Sequence, residues 1–140
     1  MKILIGVDDS ACTHHLFERL AAHPQWLDPS HDYTALHVLA PLPNGLAVLL
    51  DRPGIEARQA DAGNRVLAGL SNALDRLPGP PQRRWAVGDP GTVLARQAED
   101  GGFDLVMLGS HGHGALGQLV TGSTVARLLS HAKTPVLVMR

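Results

Sequence analysis

The apolar residues of this chain cluster in short runs, rich in β-branched side chains, that end at turn-forming residues. Within each run, apolar and polar positions do not alternate cleanly, a pattern typical of strands covered on both faces of a sheet. We therefore predict five strands, at residues 3–7, 34–39, 85–87, 105–108 and 136–139.

Between these strands the apolar residues follow helical spacing, and capping residues mark where helices begin. We predict a first helix after Ser10, a possible N-cap, and a third after Asp89, which can cap it while Pro90 occupies the first helical position. The second helix ends at the Pro-Gly-Pro-Pro segment 78–81, and the fourth ends before Pro135. The apolar markers of the four helices are Leu16 and Leu20 in the first; Val66, Leu67, Leu70, Leu74 and Leu77 in the second; and Val125, Leu128 and Leu129 in the fourth.

This alternation of strands and helices predicts an α/β fold: a single doubly wound, open parallel sheet of five strands with helices on both faces, Rossmann-like in kind. With 140 residues, 44% of them hydrophobic, we expect one domain spanning residues 1–140. The segment from Pro41 to Gly54 fits no predicted element. It begins like a loop, yet its apolar residues 46–50 could form a flap or a contact surface.

Charge and cysteine content limit the partners and the cellular setting that we expect for this protein. The 12 basic and 13 acidic side chains leave a net charge of −1, so we expect no nucleic-acid partner and no attraction to an anionic membrane. The single cysteine, Cys12, excludes an internal disulfide, and Asp8 and Asp9 interrupt the first apolar run before a signal-peptide core could form. No apolar stretch approaches the roughly 20 residues that span a bilayer. These features favour a cytoplasmic setting.

A glycine-rich segment follows the fourth predicted strand and continues into the last helix. In open α/β sheets, ligands bind beyond the carboxyl ends of the strands, where the loops after the first and fourth strands are candidates. Glycines let backbone N–H groups approach phosphate oxygens, and a helix N-terminus adds N–H groups and partial positive charge. The sequence thus predicts a phosphate site that needs no lysine, with candidate residues Gly109, Ser110, His111, Gly112, His113, Gly114, Gly122, Ser123 and Thr124.

Local charge favours the same segment. Residues 105–140 contain no Asp or Glu but carry Arg127, Lys133 and Arg140 along with His111, His113 and His131. This predicts a local cationic field, although acids could also be missing from the segment by chance.

Other motifs fit less well. The Walker pattern is absent, and Gly-His-Gly-Ala-Leu-Gly at 112–117 matches the dinucleotide fingerprint but follows the wrong strand and lacks its acidic ribose partner. A metal site at His111 and His113 has no defined third ligand. Ser10 belongs to no catalytic triad pattern, and we interpret His37 as a buried, hydrogen-bonded histidine.

The spacing Gly-x2-Gly-x9-Gly-Ser/Thr, here Gly109, Gly112, Gly122 and Ser123, resembles the ATP-binding signature of universal stress proteins. The resemblance extends along the whole chain in five blocks in the right order. These are Ile-Leu-Ile-Gly-Val-Asp-Asp-Ser at 3–10, Leu-His-Val at 36–38, Val-Gly-Asp-Pro at 87–90, Asp-Leu-Val-Met-Leu-Gly-Ser-His-Gly at 104–112 and Thr-Pro-Val-Leu-Val-Met at 134–139.

The resemblance implies a strand order of 3-2-1-4-5 and an ATP site built from specific residues. Asp8 would meet the ribose or adenine, and the backbone of Val38 would line the adenine pocket. Gly6 would lie at the floor of the pocket, and Val7 would be a further nucleotide-binding residue. Gly109 and Gly112 would hold ribose and phosphate, and Gly122, Ser123 and Thr124 would grip the phosphate chain. Mg²⁺ would arrive with the phosphates, with Asp8 or Asp9 as a candidate ligand.

The resemblance also implies a homodimer in which Val136–Met139 pairs antiparallel with its copy. The strand pattern favours some such partner independently, because an apolar strand at a sheet edge would leave backbone groups unpaired.

We therefore expect an ATP-binding stress-response regulator rather than an enzyme, with slow ATP hydrolysis at most, because no general base or arginine finger is evident. Two alternatives remain open. One is an enzyme that hydrolyses a nucleotide or a phosphorylated metabolite, and the other is a nucleotide-free dimeric interaction module.

Overall fold

The computed structural model describes residues 1–42, 51–110 and 122–140, and its five strands form one parallel sheet in the order β3-β2-β1-β4-β5. The α/β class, the parallel sheet and the strand order are confirmed. The strands are β1 (Lys2–Val7), β2 (Asp32–Leu39), β3 (Gln82–Val87), β4 (Leu105–Gly109) and β5 (Val136–Met139).

Strand β3 begins three residues before the predicted start at residue 85. Its first residues, Gln82, Arg83 and Arg84, are exposed and polar, yet they pair in register with β2. A search for apolar runs misses them because a strand at the edge of a sheet can face water along part of its length.

The helices lie between the strands as expected: α1 (Ala11–Ala22), α2 (Arg52–Gly69), the short α3 (Ser71–Leu74), α4 (Pro90–Asp100) and α5 (Ser123–His131), with a 3₁₀ turn at Pro24–Trp26. Asp89 caps α4 as predicted, because its Oδ1 accepts from the N–H of Thr92 at 2.9 Å. Ser10 occupies the N-cap position of α1, but its side chain makes no capping hydrogen bond. That part of the prediction is wrong, since the hydroxyl donates to Asp8 instead.

Two further helix expectations need correction. The second predicted helix breaks at Leu70, between α2 and α3, although Leu67, Leu70, Leu74 and Leu77 are all buried as its stripe required. The bend follows Gly69, a poor helix former, and keeps these side chains on the sheet. Leu129 is 53% exposed, so α5 buries Val125 and Leu128 but not its third apolar marker.

The core consists of two clusters, one on each face of the sheet, because successive strand residues point to opposite sides. On one face, Ile3 and Ile5 pack with Leu16 of α1 and Leu67 of α2. On the other face, residues of β1, β2 and β4 pack against α4 and α5. This arrangement confirms helices on both faces.

Most of the unplaced segment 41–54, namely residues 43–50, lies outside the described residues, while Asp51 caps α2 by accepting from Gly54 N at 3.0 Å. Among the helices that the structure describes, none is both long and apolar enough to cross a membrane.

Candidate functional site

A cleft of about 150 Å³ lies at the carboxyl ends of the central strands, where the strand order reverses between β1 and β4. It brings together most of the predicted site. Gly6, Val7 and Asp8 reach it from the end of β1, and Val38 from β2. Gly109 reaches it from the end of β4, and Gly122, Ser123 and Thr124 from the start of α5.

Among the predicted nucleotide-binding residues that the structure describes, Ser110 alone does not line the cleft. Ser110 is buried, and its N–H donates to the carbonyl of Met139 at 2.8 Å, which fixes the end of β4 against β5. His111, Gly112, His113 and Gly114 lie outside the described residues.

Asp8 is held in place by the first turn of α1. Its Oδ1 accepts from the Ser10 hydroxyl at 2.5 Å, from the Thr13 hydroxyl at 2.6 Å and from the Ser10 N–H at 3.1 Å. The same Thr13 oxygen accepts from the N–H of Asp8 at 3.0 Å. Because Thr13 is only 3% exposed, the carboxylate is anchored to a rigid part of the fold.

These hydrogen bonds also set the charge of Asp8. Burial raises the pKa of this carboxyl, but the hydrogen bonds from Ser10 and Thr13 favour the charged form more strongly and bring its pKa below the ordinary value. The nearby His37 lowers the pKa further. Asp8 is therefore a carboxylate at neutral pH. Within residues 1–42, 51–110 and 122–140 its Oδ2 accepts no hydrogen bond, so that oxygen can accept from donors of a ligand.

The start of α5 presents hydrogen-bond donors, in contrast to the Asp8 carboxylate. Its N-cap, Gly122, has no side chain to cap the helix, and the first turn contains no acidic residue. The first intrahelical bond to the N-cap carbonyl comes from Ala126 N, at 3.0 Å, so the N–H groups of Ser123, Thr124 and Val125 precede the helical ladder. Such N–H groups, together with the helix dipole, form a site for an anion.

The glycines of the cleft have different reasons to be glycine. A Cβ on Gly109 would collide with the carbonyl oxygen of Cys12, so the contact between β4 and α1 requires glycine there. A Cβ on Gly6 would lie 3.1 Å from Leu94 Cδ1, a tight but flexible contact. Gly122 has φ −54° and ψ 153°, which any residue adopts, so its backbone conformation alone does not call for glycine.

Two of the three Lys and Arg side chains of the expected cationic field pair with acids. Arg127 Nη1 lies 2.9 Å from Asp89 Oδ2, and Lys133 Nζ lies 3.7 Å from Glu99 Oε2. Both acids belong to α4 or its cap, so a count along the chain could not show that they face these cations. As far as residues 1–42, 51–110 and 122–140 show, anion binding at this cleft would therefore depend mainly on backbone N–H groups.

Sequence reasoning missed several residues of the cleft. Cys12 and Thr13 line it from α1, Pro90 from the start of α4, and Leu36, Leu94 and Leu108 from the core, and Ser10 lines it besides positioning Asp8. The signal that could have found Ser10 and Thr13 is their place just after β1, at the start of α1, because ligands of open α/β sheets bind beyond the carboxyl ends of the strands. His37 lies outside the cleft, is 8% exposed and pairs its Nδ1 with the Val7 carbonyl at 2.9 Å, as predicted.

The whole chain also resembles known proteins. A family model described as the universal stress protein family matches residues 1–140. Universal stress protein Slr1230 of Synechocystis is 41% identical over 54 residues, which are 39% of this chain and 19% of that protein. MJ0577 of Methanocaldococcus jannaschii is 35% identical over 54 residues, 39% of this chain and 33% of that protein. These matches thus span a third or less of the curated relatives.

Solved structures share the fold at low identity. The structure of MJ0577 superposes with a TM-score of 0.73 at 22% identity, covering 99% of this chain and 94% of that one. A universal stress protein family protein from Arabidopsis thaliana with AMP bound gives a TM-score of 0.65 at 16% identity, covering 99% and 90%. A universal stress protein in complex with cAMP gives 0.66 at 19% identity, covering 100% and 97%.

Proposed function

As this chain belongs to the universal stress protein family, we propose that it binds an adenine nucleotide, ATP above all, in the cleft between Asp8 and the start of α5, and that it acts as a stress-response regulator. Structural neighbours contain AMP, cAMP and dAMP, so adenine nucleotides are the class of ligand to test. ATP itself and a regulatory role are our inference for this chain.

The observation that carries the proposal is the opposite chemistry of two parts of the cleft lining, Asp8 and the start of α5. Asp8 presents a charged acceptor, which repels phosphate and attracts hydroxyl or amino donors. The first turn of α5 presents N–H donors and has no acid near it in sequence. A nucleotide has the matching polarity, with ribose hydroxyls and the base at one end and phosphates at the other. We therefore orient the nucleoside towards Asp8 and the phosphates towards Ser123 and Thr124.

Apolar side chains of the cleft lining suit the flat face of a base. Leu36 and Leu108 are buried and line the cleft, and Val38 packs beside them at the end of β2. Ligand pockets are commonly apolar with a few convergent polar groups, as here. Gly6 and Val7 complete this wall from β1.

Mg²⁺ would be held chiefly by the phosphates of the nucleotide. Asp8 could contribute only Oδ2, because Oδ1 already accepts three hydrogen bonds. Asp9 is exposed and next to it. No group of three or more potential metal ligands occurs in the described part of the chain, so a protein-built metal site is not part of the proposal.

Calorimetry with ATP, together with mass spectrometry of ligand released from freshly purified protein, tests the proposal. Binding to the wild type and its loss in Gly122→Val would support it, because a branched side chain would occupy the phosphate space while φ −54° and ψ 153° suit valine. Circular dichroism should show that Gly122→Val leaves the fold unchanged. Gly122→Ala adds a smaller side chain and should weaken binding less than Gly122→Val does. Retained binding in Gly122→Val would place the phosphates elsewhere.

The same experiments separate the alternatives. No released nucleotide and no binding at millimolar ATP would overturn the proposal in favour of a nucleotide-free interaction module. Phosphate release from ATP faster than about one per second would indicate an enzyme. We expect slower release, since regulation by occupancy requires the nucleotide to stay bound.

A homodimer through β5 is also part of the proposal. The two edges of the sheet differ, because β3 exposes Arg83 and Arg84 whereas β5 reads Val-Leu-Val-Met. Charged residues protect an edge from pairing, and an apolar edge favours it. We propose that β5 pairs antiparallel with β5 of a second copy.

A further inference from the structure

Helices α4 and α5 touch backbone to backbone at Gly91, in the first turn of α4. A Cβ on Gly91 would lie 2.7 Å from the Thr124 carbonyl oxygen and 2.8 Å from Leu128 N, where real Cβ contacts essentially never fall below 3.0 Å. An alanine would therefore push α5 away from α4. Because Thr124 lines the cleft, this contact bears on the turn that would hold phosphate.

A single carboxylate joins the same two helices. Asp89 Oδ1 accepts from Thr92 N at 2.9 Å and so caps α4, while Asp89 Oδ2 accepts from Arg127 Nη1 at 2.9 Å. The N–H of Thr92 is the main reason that the pKa of Asp89 lies below its usual range, so the acid is charged when it meets Arg127. Arg127 lies one helical turn beyond Ser123, and this pair therefore fixes the start of α5 relative to the start of α4.

Other contacts between these helices involve side chains along their length. Leu94 and Ala98 of α4 share a buried cluster with Val125 and Leu128 of α5, and Glu99 pairs with Lys133 beyond the far end of α5. These contacts hold the helices together. The contact at Gly91 and the Asp89–Arg127 pair also fix the position of the first turn of α5.

On the basis of the proposed function, we infer that Gly91, Asp89 and Arg127 are positioning residues that set the affinity of the cleft for phosphate groups and not for the nucleoside. Backbone donors recognise phosphate only when they converge within about 0.5 Å of the required geometry. A shift of α5 would misplace the N–H groups of its first turn, while Asp8, held by α1, would keep its place.

Calorimetry with adenosine and with ATP tests this inference on the wild type, Gly91→Ala, Asp89→Asn and Arg127→Gln. Asparagine is itself a good N-cap, so Asp89→Asn keeps α4 capped while removing the charge. Gly69→Ala is the matched control, because a Cβ there meets no atom within 4 Å.

We expect Gly91→Ala to weaken ATP binding about tenfold, since a 1 Å misplacement can cost more than this. The ion pair is half exposed, so each single variant should lose about two- to fivefold. The double variant Asp89→Asn with Arg127→Gln should lose no more than either single variant, because both remove one interaction. Adenosine affinity should stay within about twofold of the wild type throughout.

Equal losses for adenosine and ATP would overturn the inference, because they indicate a general effect on the fold. Unchanged ATP affinity in all variants would overturn it too. If Gly91→Ala fails to fold, the two ion-pair variants decide. A wild type that binds neither ligand contradicts the proposed function itself, whereas a wild type that prefers ATP to adenosine while every variant keeps that preference contradicts only this inference.

Discussion

At the scale of single residues, the site depends on one carboxylate whose surroundings were only partly visible in the sequence. The position of Asp8, directly after an apolar strand, predicted its place at the mouth of the cleft. Their position after β1 could have marked Ser10 and Thr13 as cleft residues, but not their hydrogen bonds to Asp8, because a serine before a helix is normally its cap. Only the folded turn shows that both hydroxyls reach Asp8 instead.

We expect Asp8→Asn to weaken binding of AMP in Mg²⁺-free buffer by about tenfold or more, because hydrogen bonds to a charged group are worth roughly 1.5–3 kcal/mol. Calorimetry measures the change. Asp9→Asn is the matched control, since Asp9 is an exposed neighbour outside the cleft lining. The same loss in both variants would mean that net charge, and not Asp8, is responsible.

Asp8 should also make the fold sensitive to acid. Because its pKa is lowered in the folded protein, its contribution to stability is present above its unfolded pKa, about 3.9, and is lost as pH falls through the folded value. Urea unfolding at pH 5 and pH 3 should show a larger fall in the free energy of unfolding for the wild type than for Asp8→Asn. Asp28 and Asp89, whose pKa values are also lowered, are present in both proteins and cancel in this comparison. Parallel falls would contradict the role of Asp8.

At the scale of elements, apolar runs and capping residues predicted the strands and the start of α4, but not how closely elements approach one another. A glycine in a sequence looks the same whether it serves a ligand or a neighbouring helix. Gly109 was interpreted as a phosphate residue, and its Cβ position turns out to be filled by the backbone of α1. The break at Leu70 and the polar start of β3 could not be predicted either. Both depend on which parts of the fold pack against those residues.

We expect Gly109→Ala to destabilise the protein by about 1–3 kcal/mol, the usual effect of overpacking, because the carbonyl of Cys12 leaves no room for a methyl group. Chemical denaturation followed by circular dichroism measures the change. Gly69→Ala, at a helical glycine with open space around it, should be neutral or slightly stabilising. Unchanged stability in Gly109→Ala would show that α1 can shift at little cost.

At the scale of the whole molecule, the class and strand order followed from alternating elements and from the family resemblance, and both are confirmed. The pairing of charges across helices did not follow from the sequence. Three cations in an acid-free segment suggested a positive surface, yet two of them face acids from α4 or its cap. Charge counted along a chain does not show which elements will stand opposite each other.

We expect Val138→Pro to convert the proposed dimer to a monomer. The carbonyls of Pro135 and Met139 accept from the N–H groups of Val106 and Ser110. In a parallel ladder the N–H groups of residues 136 and 138 therefore point to the outer edge. Proline at 138 removes an outward donor and leaves the inner ladder intact. Light scattering on the purified proteins measures the mass, with Val138→Thr as the control that keeps the donor. A monomeric wild type would contradict the proposed dimer.

The difference between the two edge strands, β3 and β5, limits the size of the proposed assembly. When two copies join through β5, they form a ten-stranded sheet whose two edge strands are both β3. Both edges of that sheet then carry arginines. In the proposed dimer both copies use the same edge strand, and a twofold axis relates them. No apolar edge strand is then left to pair with a third copy. A chain built this way can double without growing into a fibre.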